Sequence, residues 1–232
     1  IIDLSQLEDC VRDHLNTHAE RRMAVIRPIK VVLTNFSDEQ AHPIRLSNHP
    51  KDPSRGHREV NFTRELYIDA DDFQLDPPSG FFRLKPNGKV RLSQAYVIEC
   101  HEVIQDENGQ VTELHCTYDP DTFGGKKPAD GKKVKGIIHW LCAADAKDVE
   151  VRLYDRLFQS ENPGRSEDFL QEINPHSLET LTHAKVEPSV LTADIGECFQ
   201  FNRIGYFCVD QDTTDSHTVL NRTVSLRDTW KK

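Results

Sequence analysis

Two Asn-Gly dipeptides, Asn87-Gly88 and Asn108-Gly109, sit inside β-branched, apolar sequence and limit what this chain can fold into more than any other feature. Both residue types tolerate the positive φ that a tight type I′ turn needs, so each dipeptide predicts a β-hairpin. The first separates FFRLK from KVRLSQAYVIEC, and the second separates AYVIECHEVI from VTELHCTY. Together they predict a three-stranded meander. Val25-Ile26, Ile29 to Leu33, residues 59–68 and the runs VKGIIHWLCA, VEVRLYDRLF, CFQFNRIGYFCVD and TVLNRTVSLRDTW carry the same strand signal. A lysine-rich stretch with Gly and Pro, 123–133, reads as a linker. Strands at this spacing, broken by Gly and Pro turns, predict a mainly β chain of antiparallel barrels or sandwiches.

Helix is expected at the start. Leu4, Leu7, Val11, Leu15 and His18 recur at three- and four-residue steps, with Cys10 and His14 beside them, and predict an amphipathic helix over 4–18. Ser5 and Glu8 fit a capping box at its beginning. A second short turn is expected at 19–24, before Pro28, and another short helix at Asp168–Ile173. Between residues 36 and 58, Pro43, Pro50, Pro53 and Gly56 predict a long loop or irregular edge.

At roughly 100–200 residues per domain, 232 residues make one large domain or two small ones. No run approaches the roughly 20 apolar residues of a membrane helix, so no spanning segment is expected. The chain opens Ile1-Ile2-Asp3 with no initiator Met and no basic-then-apolar leader, which predicts a piece of something longer without a secretion signal. With 29 Lys+Arg against 38 Asp+Glu, a net charge of -9, sequence-blind coating of nucleic acid is excluded, though a local basic pocket is not. The six cysteines (Cys10, Cys100, Cys116, Cys142, Cys198, Cys208) are scattered, which predicts reduced thiols in a cytoplasmic protein.

Little here points to catalysis. Pairing across Asn108-Gly109 is expected to put His101 opposite Cys116, with Cys100 and His101 on opposite faces. Cys100, His101, His115 and Cys116 then do not converge as zinc ligands. Gly124-Gly125-Lys126-Lys127 lacks the strand and helix of a phosphate loop, His101-Glu102 lacks a second zincin His, and no GxSxG elbow exists. Polar recognition remains: Arg21 and Arg22 lie where helix meets first strand, Arg83, Lys85, Lys89 and Arg91 crowd one hairpin, and Gln200 and Arg203 lie in FQFNR. Arg and Gln offer directional hydrogen bonds to base edges, and RNA sequence is read mainly from unstacked single-stranded bases.

Longer strings, VKGIIHW, VRLYDRLF, FQFNRIGYF and NRTVSLRDTW, with MAVIRP at Met23–Pro28, Asn48-His49-Pro50 and AYVI at Ala95–Ile98, run in order along nearly the whole chain. In these the chain resembles the C-terminal half of bacterial glutaminyl-tRNA synthetases. The resemblance implies two antiparallel β-barrels that bind the tRNA anticodon loop, the distal barrel inserted into the proximal one after a short helical segment. Residues 1–24 would end a helical subdomain, 25–36 and 145–232 form the proximal barrel, and 37–144 the distal barrel. In the family, ATP- and Mg2+-dependent chemistry lies in an N-terminal catalytic domain with HIGH-like and KMSKS-like motifs, and neither motif occurs here. The resemblance thus implies a cytoplasmic, monomeric fragment that binds glutamine tRNA, holds no cofactor of its own and does not charge tRNA.

By the same resemblance, Arg21 matches an arginine that reaches the middle anticodon base, and Gln200 and Arg203 match the pair that completes this uracil pocket. Arg83 matches an arginine for the third base, a guanine, whose O6 and N7 suit a bidentate guanidinium. Arg91 matches one of two first-base arginines, and Asn16 a residue near the loop-closing nucleotides. Two departures stand out: the second first-base arginine is Ser93 here, and a lysine that commonly precedes the third-base arginine is Phe82. Positions 91 and 93 are expected on one strand face, one cation short, while Phe82 either stacks on a splayed base or packs the hairpin. Arg152, Asp155, Arg156, Arg222, Arg227 and Asp228 read as charge pairs tying strands together. The competing readings are the corresponding region of a glutamyl-tRNA synthetase, a structural rRNA-binding β-barrel, and an architectural module that only transmits tRNA binding.

Overall fold

The computed structural model describes residues 4–37, 40–160, 163–165 and 168–227. Helix α1 (Leu4–His18) leads into β1 (Glu20–Arg22), β2 (Ala24–Val25) and β3 (Pro28–Leu33). The chain continues through β4 (His42–Ser47), β5 (His57–Phe62), β6 (Glu65–Asp69), β7 (Lys89–Leu92), β8 (Val97–Gln105) and β9 (Val111–Asp119). Then come the short β10 (Ile137–Ile138) and β11 (Leu141–Cys142), followed by β12 (Lys147–Tyr154) and β13 (Leu178–Val186). A final antiparallel set is β14 (Cys198–Phe201), β15 (Gly205–Val209) and β16 (Val219–Ser225).

These strands form two seven-stranded sheets and a two-stranded one, giving a mainly β protein with one nearly closed barrel and one half-barrel after a short helix. Sheet I has the order β1-β14-β15-β16-β12-β13-β2, and sheet II the order β10-β7-β8-β9-β3-β6-β11. In each sheet the two edge strands are consecutive in the chain, so one segment reaches both edges and the sheet must curl. Pairing is mostly antiparallel, but β1·β14, β12·β16, β3·β9 and β7·β10 are parallel. Because β3 pairs with β6 and β9 in sheet II, the chain changes sheet at Ile26-Arg27.

Side-chain alternation in the segment after α1 builds both cores at once. Met23 and Val25 point into the core of sheet II, whose largest members are Trp140 and Phe62, while Ala24 and Ile26 point into the core of sheet I with Phe199, Phe201 and Phe207. Two buried carboxylates secure the backbone of this shared wall. Glu187, 2% exposed, accepts the Met23 N–H at 2.5 Å and both Nε and Nη2 of Arg58 at 2.5 and 2.7 Å. Asp69, 4% exposed, accepts the N–H groups of Ile26 and Arg27 at 2.9 and 3.3 Å. Helix α1 docks on β14–β16 through Leu15 and Ala19 against Tyr206 and Val224, whereas Leu4 and Leu7, the first members of its apolar stripe, stay exposed.

The structure corrects several expectations. The turn expected at 19–24 is instead the two short edge strands β1 and β2, which pair with β14 and β13. The loop expected over 36–58 holds β4 and the start of β5, a hairpin whose Ile44, Leu46 and Phe62 enter the core of sheet II. The strand expected at 59–68 breaks at Thr63-Arg64 into β5 and β6. The meander exists as β7-β8-β9, but its first turn lies at Ser93-Gln94, with Gln94 at φ 59°, and not at Asn87-Gly88. FFRLK forms no strand; its Leu84 makes an isolated bridge with Phe73. Strand β13 went unpredicted because most of its residues are polar and exposed. Cys198 and Cys208 are joined as a disulfide, since strand register sets them opposite each other across β14 and β15, while Cys10, Cys100, Cys116 and Cys142 are free. The helix at 168–173 is present as a 3-10 turn, Phe169–Glu172, capped by Asp168. Arg152 lies in a charge cluster with Glu150, Asp210 and Asp212, and Arg222 donates to the Tyr154 carbonyl. Asp228 and Trp230 lie outside the described residues.

Removing one partner of a buried ion pair leaves an uncompensated charge, typically costing about 3–5 kcal/mol. Glu187→Ala strands Arg58 and the Met23 N–H together, so a loss of about that size is expected in denaturant unfolding. Glu187→Gln keeps an acceptor for Met23 and should lose less; equal stability of Glu187→Ala and wild type would show that the wall does not need the carboxylate.

Candidate nucleic-acid interface

The end of α1 creates the first element of the site. A helix terminus leaves its last carbonyls without intrahelical partners. Arg21, one turn further on and 8% exposed, donates Nη1 to the Ala19 carbonyl at 2.5 Å and Nη2 to the Asn16 carbonyl and Oδ1 at 2.9 and 2.8 Å. Three of its five N–H groups are thereby engaged. Burial holds the Arg21 pKa below the ordinary arginine value. The Asn48-His49-Pro50 loop clamps the same junction: the Asn48 carbonyl accepts the Arg21 N–H at 2.7 Å, and His49 Nε2 contacts the Asn16 carbonyl at 3.2 Å.

Parallel pairing of β1 with β14 sets Arg21 beside Gln200. The β14–β15 turn then presents Arg203 at φ 68°, the left-handed region that bulky residues seldom occupy. Arg203 grips Asp72 with two parallel bonds, Nη1 to Oδ2 at 2.5 Å and Nη2 to Oδ1 at 2.8 Å. Asn16, Arg21, Gln200, Arg203 and Ser93 all line one cavity of about 570 Å³ between the two sheets, together with Arg45, Arg58 and His139. That volume falls within the roughly 300–1,000 Å³ of small-ligand pockets. Gln200 is among these lining residues, and its Oε1 is turned inward, buried and without a hydrogen-bond partner. A buried polar atom left unpaired is costly, so this one marks where a donor is missing.

The other expected residues lie elsewhere. Phe82 and Arg83 line a groove of about 660 Å³ with Lys85, Lys89, Lys132, Lys133 and Lys135. Phe82 is 54% exposed, and Lys135 Nζ sits 4.8 Å from its ring centre. Gly136 permits this approach, because a Cβ there would meet the Phe82 carbonyl oxygen at 1.9 Å. Arg83 donates Nη1 to the Asp71 carbonyl at 2.5 Å and lies over the Phe81 ring. Arg91 joins neither concavity: it holds the 120–126 turn by donating to the Thr122 and Lys126 carbonyls at 2.7 and 2.5 Å. Ser93 instead lines the cavity between the sheets, while the backbone N–H groups of Arg91 and Ser93 both bond to the β10 segment, at the Gly136 and Ile138 carbonyls, in the alternate-residue pattern of a continuing strand. A third concavity of about 310 Å³, lined by Arg83, Asp72, His139 and Arg203, lies between the other two.

Sequence reading missed Arg45, Arg58, Asp72 and His139. VKGIIHW flagged His139 as a string only, and nothing in IDADDF singles out Asp72. The hairpin once considered for zinc pairs Cys100, not His101, with Cys116, because a bulge between Cys100 and Glu102 shifts the register. Among the described residues no group of three or more His, Cys, Asp or Glu side chains could hold a metal ion. No helix among them is long and apolar enough to cross a membrane.

Two curled sheets meeting at an arginine-lined cavity define a β-barrel binding module. Residues 19–119 match the family described as tRNA synthetases class I (E and Q), anti-codon binding domain, and residues 137–210 match a second family of the same description. The chain belongs to the anticodon-binding domains of the class I (E and Q) tRNA synthetases. It is 49% identical over 232 residues to a glutamine–tRNA ligase of Bradyrhizobium diazoefficiens. Those of Pseudomonas syringae pv. tomato and Rhodopirellula baltica are each 50% identical over 234 residues. These matches cover 99–100% of this chain but 39–41% of the relatives, so the chain spans about two fifths of their length.

His139, 3% exposed, provides a test of the site's electrostatics. Burial, reinforced by the positive charges of Arg203 and Arg83 and opposed by Asp72, pulls its pKa down from 6.5 to about 4. The unfolded chain therefore takes up this proton first: the contribution is harmless above about pH 6.5, and stability is lost as pH falls from there towards 4. At about 1.4 kcal/mol per pH unit, the loss reaches about 3 kcal/mol. Burial pushes the Asp69 carboxyl up, which acts in the opposite sense, so the comparison must be with His139→Gln. Unfolding free energies measured across this range should diverge between the two proteins; parallel curves would contradict a neutral His139.

Proposed function

We propose that this chain is the anticodon-binding part of a glutamine–tRNA ligase, holding glutamine tRNA by its anticodon loop while a catalytic domain outside this sequence attaches glutamine with ATP and Mg2+. On this reading the protein is cytoplasmic and monomeric, sheets I and II correspond to the proximal and distal barrels, and the chain by itself charges no tRNA. The family match and the glutamine–tRNA ligase relatives support the reading and do not favour a glutamyl-tRNA synthetase or an rRNA-binding barrel.

The observation that carries it is the unpartnered Gln200 Oε1 beside Arg21 and Arg203. A uracil edge offers an N3–H donor between two carbonyl acceptors. Turning its buried Oε1 towards the cavity lets Gln200 accept from N3–H, and the remaining guanidinium N–H groups of Arg21 and Arg203 donate to the carbonyls. Cytosine sets its unprotonated N3 against the same Oε1, acceptor against acceptor. Arg83 is assigned to the third base, with Phe82 as a stacking surface whose charge complement is the surrounding lysines. Arg91 and Ser93 are assigned to the first base, where Arg91 acts by holding the 120–126 turn and Ser93 supplies no cation. Asn16 orients Arg21 and lies towards the loop-closing nucleotides.

Titration of this chain with glutamine-tRNA anticodon stem-loops, cognate and with the middle uracil changed to cytosine, tests the reading. One good base contact is worth about 1–3 kcal/mol, so discrimination of roughly tenfold or more is expected. It should persist at higher salt while overall affinity falls, because phosphate contacts carry the salt dependence. Gln200→Leu should abolish most of the discrimination, and Arg21→Ala should weaken cognate binding far more than binding to the altered RNA. Equal binding of both RNAs by the wild-type chain would overturn the reading.

A further inference from the structure

We propose that Asp72 is a positioning residue that holds Arg203 and Arg83 in place and so governs recognition of the middle and third anticodon bases together. The proposal rests on the roles given to those two arginines above. Asp72 closes the 3-10 turn Ala70–Asp72 that follows β6, and at 2% exposed it lies too deep to touch RNA. Its carboxylate takes both Nη groups of Arg203, which arrives from the β14–β15 turn of sheet I. The Oδ1 atom also faces Arg83 Nε at 3.3 Å, from the segment preceding β7 in sheet II. His139 Nδ1 is 3.7 Å from Oδ2. The Asp72 carbonyl accepts the Leu84 N–H at 3.0 Å, fixing the backbone that carries Arg83.

A buried carboxylate needs one well-placed cation to offset its desolvation. Here a single carboxylate serves two guanidiniums from different sheets, each still partly exposed, with side-chain accessibilities of 33% for Arg203 and 43% for Arg83. Arg203 lines the 570 Å³ cavity, Arg83 lines the 660 Å³ groove, and the 310 Å³ concavity holding Asp72 joins them. The N–H groups turned away from Asp72 are those left for bases. Discrimination by hydrogen bonds depends on donors held within a fraction of an ångström, so loosening one anchor loosens both readers.

The test measures binding of Asp72→Asn to the cognate anticodon stem-loop and to RNAs changed at the first, middle or third base. Asn keeps the shape and one acceptor but removes the charge. Discrimination at the middle and third bases should fall together, each by roughly tenfold, with first-base discrimination retained. A uniform affinity loss on every RNA would reduce Asp72 to a structural role, and a loss at one base alone would overturn the coupling. Should Asp72→Asn fail to fold, Asp72→Glu, which displaces the carboxylate by one methylene, must show the same paired loss; unchanged discrimination in it would also overturn the proposal. Failure of the underlying anticodon reading is distinguishable, because the wild-type chain would then discriminate at none of these bases.

Discussion

The shared wall Met23–Ile26 is the constraint on which the rest of the structure depends. Successive side chains of an extended segment point to opposite sides, and here each side is the interior of a different sheet. A one-residue slip would exchange Met23 and Val25 with Ala24 and Ile26, overfilling one core and emptying the other. The register is held from both flanks by carboxylates bonded to main-chain N–H groups: Glu187 from the end of β13 and Asp69 from the end of β6. Everything used for recognition is placed relative to this wall. Arg21 precedes it by two residues, Asp72 follows Asp69 by one short turn, and β14 pairs with the strand just before it.

An acidic protein that binds RNA must concentrate its favourable contacts, and each arginine here is held before any ligand arrives. Carbonyls at the end of α1 hold Arg21, a carboxylate holds Arg203, and loop carbonyls hold Arg91. A restrained guanidinium loses less rotamer freedom on binding than a free surface lysine, so more of its hydrogen-bond energy appears as discrimination. The surrounding negative charge suppresses RNA that offers phosphates but not the right base edges. Five lysines line the Phe82 groove, where the proposed stacking and backbone contact need charge more than orientation.

Local chemistry made part of this fold legible. Alternation and β-branching placed most of sheet I and the cores of β8 and β9, and Asn108-Gly109 marked a real hairpin. Asn87-Gly88 misled because an Asn-Gly pair records a permitted backbone conformation, not a strand on either side: Asn87 is at φ 54°, but Leu84 is engaged with Phe73. The hairpin of β4 and β5 was hidden by its prolines, although Ile44 and Leu46 are spaced for a half-buried strand. Among site residues, the family strings gave Arg21, Gln200 and Arg203, which the structure brings into one cavity. Positions 91 and 93 keep strand pairing to the β10 segment, but Arg91 is spent on the 120–126 turn while Ser93 lines the cavity between the sheets. Asp72 could not be found from spacing, since its importance arises where two sheets converge.

That convergence explains why the proposed middle-base pocket lies between the sheets. A single curled sheet can present side chains from neighbouring strands, but all share one curvature and one solvent face. Reading adjacent bases of an unstacked loop requires donors at different angles, and two sheets joined by a common wall supply them without a flexible linker. The cost is that polar atoms must be buried at the seam before RNA binds, and Gln200 Oε1 stands as such an atom. In the free protein this oxygen lacks a partner, and on the proposed reading a base that supplies the missing N–H recovers energy that a mismatched base cannot. On that reading the seam turns an unsatisfied group, normally a defect in a folded core, into the means by which one base is preferred over another.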